Sequence, residues 1–222
     1  MSNEQLDSSP KTIVIATRNP GKLLEFQHAL QTGDTIVTSL ADYPDIPDIV
    51  EDGDTFVANA RKKAKTMALA LGIPVLADDS GLCVDALDGA PGVYSARYSG
   101  EGATDKSNND KLLHELKAAA AHIEAKEIEA WPADRSLLSK AHFVCVLSLY
   151  DPIKDEFIEA EGTVSGYIMD KPLGEGGFGY DPLLWLPQLG CSIAELSKAE
   201  KQQISHRGEA LRKLLAKLEG QM

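Results

Sequence analysis

Ile13 to Ala16 form a short apolar run that passes abruptly into Thr17, Arg18, Asn19, Pro20, Gly21 and Lys22, and apolar positions then recur at Leu23, Phe26 and Leu30. This pattern predicts a buried strand, a turn rich in hydrogen-bond donors, and a helix that Gly33 stops. Between 55 and 71, Phe56, Ala60, Ala64, Met67 and Leu71 keep helical spacing, with Thr55 as N-cap and Gly72 just past the end. Asn59 and Lys63 lie one turn apart on that helix and share a face. The segment IPVLADDSGL is a short apolar run that ends in Asp78, Asp79, Ser80 and Gly81, so it predicts an interior strand delivering carboxylates at its C-terminal end. In open α/β sheets ligands bind at that end.

Helical character returns over 104–123, and the Ala/Glu-rich stretch 118–140 predicts a peripheral helix and loop without chemistry. Residues 142–150 and 156–170 have strand character and lead into the glycine-rich LGEGGFGYDPLLW. Ser197 with Glu200 forms a capping box, Ser205 caps a last helix, and Ile204, Leu211, Leu215 and Leu218 are its expected buried stripe. Residues 1–10 are polar and read as a mobile tail, leaving 11–222 as a single unit.

The chain has 222 residues, 43% of them hydrophobic and 25% charged, which is enough for one core without disulfide staples. Cys83, Cys145 and Cys191 have no paired spacing and read as free thiols of a reducing, cytoplasmic compartment. No signal-peptide pattern and no membrane-spanning apolar run are present. A net charge of −12 argues against nucleic acid as a partner, so a polyanionic ligand has to find a local cationic pocket.

The donor-rich turn after the first strand can hold an anion through free backbone N–H groups, although an ordinary strand-to-helix turn with a surface lysine explains the same letters. Asp78 and Asp79 are adjacent on a strand and point to opposite faces, so one enters a site while the other caps or pairs. With the acidic stretch 50–54 nearby, one carboxylate from each segment plus phosphate oxygens is a usual way to hold Mg2+, while Asp52 and Asp54 read as solvated surface acids. GGFGYD sets Phe178 between glycines as a ring able to stack on a planar base, or as a core residue in a tight turn. His206 and Arg207 open a helix and can donate to an anion or a carbonyl. Zinc spacings, a GxSxG elbow and a cysteine nucleophile are all missing.

ATRNPGK, NARKKA, ADDSGL, GAPGVYSARYSG, GGFGYDP and KQQISHRGEAL occur in this order, and as a set they resemble the inosine triphosphate pyrophosphatase family, the non-canonical purine NTP pyrophosphatases. The likeness runs from about Lys11 to the last helix, with 118–140 longer than in a compact member. It implies an elongated, two-lobed α/β fold around a mixed sheet with flanking helices, an active site in the cleft between the lobes, and a homodimer. It also implies Mg2+-dependent hydrolysis of ITP, dITP or XTP between the α and β phosphates, removing them from the nucleotide pool.

By the same resemblance, Thr17, Arg18, Asn19, Pro20, Gly21, Lys22 and Lys63 cradle phosphates. Glu51 and Asp79 hold the metal, Asp79 is the general base, and Ser80 lines the site. Phe178, Gly179, Tyr180, Asp181, Lys201, His206 and Arg207 bind the nucleotide, chiefly its base end. The competing reading is a regulatory module that binds purine nucleotides without cleaving them, which has no need of a base beside a metal site.

Overall fold

The computed structural model describes residues 12–17, 20–30, 36–43, 46, 49–124, 128, 130–132 and 134–220. The expected tail, the helix stop at Gly33, and Arg18 and Asn19 lie outside them. Among the described residues the strands are β1 (Thr12–Ile15), β2 (Ile36–Ser39), β3 (Val75–Val84), β4 (Leu137–Asp151), β5 (Glu156–Met169), β6 (Leu184–Leu186) and β7 (Cys191–Ser192). They form one mixed sheet in the order β2-β1-β3-β4-β5-β6-β7, parallel on the β1 side and antiparallel from β3 onward.

Helices α1 (Pro20–Leu30), α2 (Phe56–Leu71), α3 (Asp105–Ala118), α4 (Lys198–Ile204) and α5 (His206–Glu219) flank the sheet. Strand alternation assigns α1, α2, α3 and α5 to their faces. Ile15, Leu76, Cys145, Leu147 and Ala160 pack with Phe26 of α1 and with Ala210, Leu211 and Leu214 of α5. Further along the same face, Leu82, Val84, Phe143, Val164 and Ile168 pack with Leu112 and Leu116 of α3. The opposite face carries α2, whose Ala64, Met67 and Ala68 meet Val14, Val75, Ala77 and Tyr150. Strands β4 and β5 pair from Asp151↔Glu156 to Leu137↔Met169 and run beneath both cores. At roughly 3.3 Å per residue, the 15 residues of β4 span about 50 Å, which makes the fold elongated.

The caps behave as expected. Thr55 accepts from the Ala58 N–H and Gly72 closes α2 in the left-handed region, while the Ser197–Glu200 box opens α4 and Ser205 caps α5. Other expectations need correction. β3 does not end at the acidic pair but continues to Val84, because partners from other elements satisfy both carboxylates inside the sheet. The helix expected over 104–123 stops at Ala118. No described residue between 121 and 136 is helical, since Ile123, Ile128 and Trp131 pack on Leu137 and Trp185, and 137–140 already belong to β4. In α5 the buried apolar side chains are Ala210, Leu211 and Leu214, while Leu215 and Leu218 pack only partly against that core and Ile204, the last residue of α4, against the α3 core. Among the described residues no helix is long and apolar enough to cross a membrane.

Candidate active site

β1 pairs with β3 only where Val14 and Ile15 meet Val75 and Leu76. From Ala77 to Gly81 that edge of β3 therefore faces no strand among the described residues. Side chains from both faces of the sheet reach this gap. On one face, where the α1–α5 layer parts from α3, lies a pocket of about 140 Å³ that Lys22, Ser80, Phe178, Lys201, His206 and Arg207 help to line. Gly179, Tyr180 and Asp181 complete its loop side.

α5 reaches this pocket because β5 carries Gly162 beneath it: a Cβ there would stand 2.2 Å from the His206 carbonyl oxygen. The close approach sets the first residues of α5 over the pocket. His206 is buried, its ring stacked on Phe143 at 4.8 Å and 13°. Arg207 donates to Ser80 Oγ (3.1 Å) and lies 3.8 Å from Asp78 Oδ2. Its guanidinium is also 5.6 Å from the centre of the Phe178 ring, and Lys201 Nζ is 4.7 Å from it. The Phe178 ring is half-buried and belongs to none of the hydrophobic cores, which favours the stacking-platform reading of GGFGYD over a core phenylalanine. Lys201 also pairs with Asp181 (2.7 Å), and Asp181 accepts from the Phe178 N–H (3.0 Å).

The two aspartates divide as strand geometry requires. Asp78, 2% exposed, faces α1 and α5 and pairs with Lys22 at 2.7 Å. Burial pushes its carboxyl up, but Lys22, Arg207 and Lys63 outweigh that and hold it well below the usual carboxylate range. Asp79 faces α2, where Asn59 donates to Oδ2 (3.0 Å) and Lys63 stands 3.6 Å from Oδ1. Burial raises the Asp79 carboxyl, Lys63 opposes this, and the neighbouring Glu51 charge adds to it. Asn59 also accepts from the Gly53 N–H (2.8 Å), tying the acidic segment to the strand.

Lys63 Nζ occupies a cation position among oxygens: Glu51 Oε1 at 2.9 Å, the Asp78 carbonyl at 2.6 Å and Asp79 Oδ1 at 3.6 Å. An all-oxygen donor set of this kind suits a hard dication. Among the described residues no three His, Cys, Asp or Glu side chains cluster as a metal cage, so a cation at Glu51 and Asp79 would take further ligands from water and phosphate.

Thr17 is buried at the end of β1, its N–H donating to the Ile15 carbonyl, and Pro20 and Gly21 begin α1. Neither Thr17, Lys63, Glu51 nor Asp79 lines the pocket itself; they stand at the gap beside it. Asp52 pairs with Lys62 on the surface and Asp54 is exposed, as expected of solvated acids. Sequence reasoning missed Arg97, which donates to the Glu51 carbonyl at 2.9 Å, and Asp105 and Asn108, which line the pocket from α3.

The His206 environment has a consequence for stability. Burial, then Arg207, Lys201 and Lys22, lower its pKa well below the ordinary 6.5, against a smaller opposing effect of Asp78. The folded state keeps the ring neutral while the unfolded chain protonates it below about pH 6.5, so stability falls as pH drops from 6.5 toward 5. His206→Gln is expected to flatten this fall by up to about 1.4 kcal/mol per pH unit. Urea unfolding of both proteins at pH 7, 6 and 5 measures it, and equal slopes would refute the assignment.

The family model described as Ham1 matches residues 13–217. A dITP/XTP pyrophosphatase of Shouchella clausii is 49% identical over 208 residues, covering 94% of this chain and 96% of that protein. Two solved structures are similar along their lengths. A HAM1 protein from Coxiella burnetii has 39% identity and a TM-score of 0.81, covering 95% of this chain and 99% of that one. The Ham1 protein of Staphylococcus aureus has 44% identity and a TM-score of 0.79, covering 96% and 100%.

Proposed function

The chain belongs to the Ham1 family, and from that premise we propose that it is a hydrolase of nucleoside triphosphate anhydrides that converts ITP, dITP and XTP to the monophosphate and pyrophosphate, clearing them from the nucleotide pool. One observation carries the reading. In a chain of net charge −12, Lys22, Lys63, Lys201 and Arg207 converge from four helices on the gap beside Asp78 and Asp79.

Cleaving a phosphoanhydride needs charge neutralisation and positioning more than covalent chemistry. Lys22 and Lys63, with Thr17, Arg18, Asn19, Pro20 and Gly21, hold the phosphates. Glu51 and Asp79 would hold Mg2+, which when bound neutralises phosphate charge and lowers the pKa of its water. Asp79 takes the proton from the attacking water. Phe178 stacks on the purine, Tyr180 and Asp181 brace its loop, and Lys201 keeps Asp181 in place. His206 and Arg207 offer donors at the base end. Hypoxanthine and xanthine carry a carbonyl at C6, whereas adenine brings an amino donor against those donors. Each buried group left unsatisfied costs about 1–3 kcal/mol, or about 5- to 150-fold. The same reading takes the protein as one cytoplasmic catalytic unit over 11–222, acting as a homodimer on a small-molecule substrate, away from nucleic acid and membranes.

The test is a panel of ITP, XTP, dITP and ATP with Mg2+, scored separately for pyrophosphate and orthophosphate. Monophosphate and pyrophosphate from the first three, with ATP poor, is the expected result. Release of IDP with orthophosphate would overturn the assigned bond, and tight ITP binding without turnover would favour the regulatory module.

A further inference from the structure

We propose that Asp105 and Asn109 of α3 are positioning residues that fix the Phe178 ring for purine stacking; this rests on the nucleotide reading above. Phe178 lies between Gly177 (φ 76°) and Gly179 (φ 63°), both in the left-handed region. Two such glycines give the loop freedom to turn and no preference of its own for where the ring points. On one side of the ring, Asp181 holds the Phe178 N–H and is itself tied to Lys201 of α4, but neither bond reaches Gly179 on the other side.

α3 supplies the anchor on the Gly179 side. Asp105 and Asn109 are one turn apart on the same helix face. Asp105 Oδ2 accepts from the Gly179 N–H at 2.7 Å, and Asn109 Nδ2 donates to the Gly179 carbonyl at 3.0 Å. One residue next to the ring is thus gripped at both its donor and its acceptor. The Asn109 amide is turned for this contact rather than for its own satisfaction, since its Oδ1 is buried with no partner among the described residues. Swapping the amide would set oxygen against the Gly179 carbonyl. A Cβ at Gly179 would meet nothing within 4 Å, so no close packing at that side of Gly179 duplicates the two hydrogen bonds.

The consequence is selective. Loosening the clamp should weaken whatever binds through the purine and spare whatever binds through phosphate alone. IMP and inorganic pyrophosphate are the two probes. Asp105→Ala and Asn109→Ala are each expected to weaken IMP binding by about 3- to 10-fold. They should raise KM for ITP more than they lower kcat, and leave pyrophosphate inhibition where it is in the parent. Asp105→Asn keeps an oxygen opposite the Gly179 N–H and should restore most of the affinity, whereas Asn109→Asp, which faces oxygen with oxygen, should be no better than alanine. Asp105 is exposed, so its removal costs the fold little.

Unchanged IMP affinity in both alanine variants would overturn the proposal. So would Asp105→Asn binding as weakly as Asp105→Ala, which would mean that its charge, not its hydrogen bond, matters. An equal loss of pyrophosphate binding would reduce the role to general stability and overturn it as well. A parent protein that neither binds IMP nor turns over ITP would instead bring down the nucleotide reading, so the two failures are told apart by the parent alone.

Discussion

Asp79→Asn is expected to reduce kcat on ITP by at least about 10²–10⁴-fold, the usual cost of losing a general base, with loss of a metal-binding charge added to it. The substitution keeps the side chain's size and one oxygen. That oxygen can still accept from Asn59, whose amide now stands 3.0 Å from Asp79 Oδ2. Thermal stability should therefore stay close to the parent's while turnover collapses. Single-turnover hydrolysis of ITP in saturating Mg2+, with melting curves on the same samples, measures both quantities. A loss below tenfold would remove Asp79 from the chemistry.

Asp78→Asn should do the reverse. Its carboxylate sits between Lys22 at 2.7 Å and Arg207 at 3.8 Å, and Arg207 is 2% exposed. Removing one partner of a buried charge cluster strands the others, at about 3–5 kcal/mol. Lys22 keeps some contact with water, which favours the lower end, about 3 kcal/mol. For a chain of this length that is a fall in Tm of roughly 6–12 °C. Turnover per folded molecule should suffer less than in Asp79→Asn, because Asp78 faces the cations rather than the attacking water. Pyrophosphate should raise the variant's Tm more than the parent's, since it returns negative charge to Lys22. Two adjacent aspartates that gave the same balance of lost stability and lost rate would contradict the division of the strand's two faces.

Helices with local signals were legible. Thr55, Gly72, Ser197, Glu200 and Ser205 announce their ends because capping is chemistry between residues close in sequence. Strand β3 was legible only as far as its apolar run, since what keeps Asp78 and Asp79 inside the sheet comes from α1, α2 and α5. The stretch after Ala118 misled for a related reason: alanine and glutamate favour a helix locally, but Trp131 finds its packing partners near Trp185. In the candidate site, residue types with a chemical signature could be named from the motifs. Asp105 and Asn109 could not, because on the sequence they are polar positions of an amphipathic helix. Their partner Gly179 lies 70 residues beyond Asn109, so nothing local in the sequence marks the contact.

The ladder of β4 and β5, regular from Asp151↔Glu156 to Ser139↔Ile168 and running beneath both cores, bears on how a nucleotide is admitted. Lobes joined by flexible linkers close on a hinge, and every binding event then gives up part of its free energy to selecting the closed form. Here the cores on either side of the site rest on the same strands, whose backbone hydrogen bonds would have to break or shear for such a hinge to work. Shape complementarity is therefore set when the chain folds, not when the ligand arrives. What remains to adjust is small: the aromatic loop, and lysine side chains that exchange a carboxylate for a phosphate. Preorganisation of this kind lowers the entropic cost of association and makes discrimination among purines a property of a standing surface.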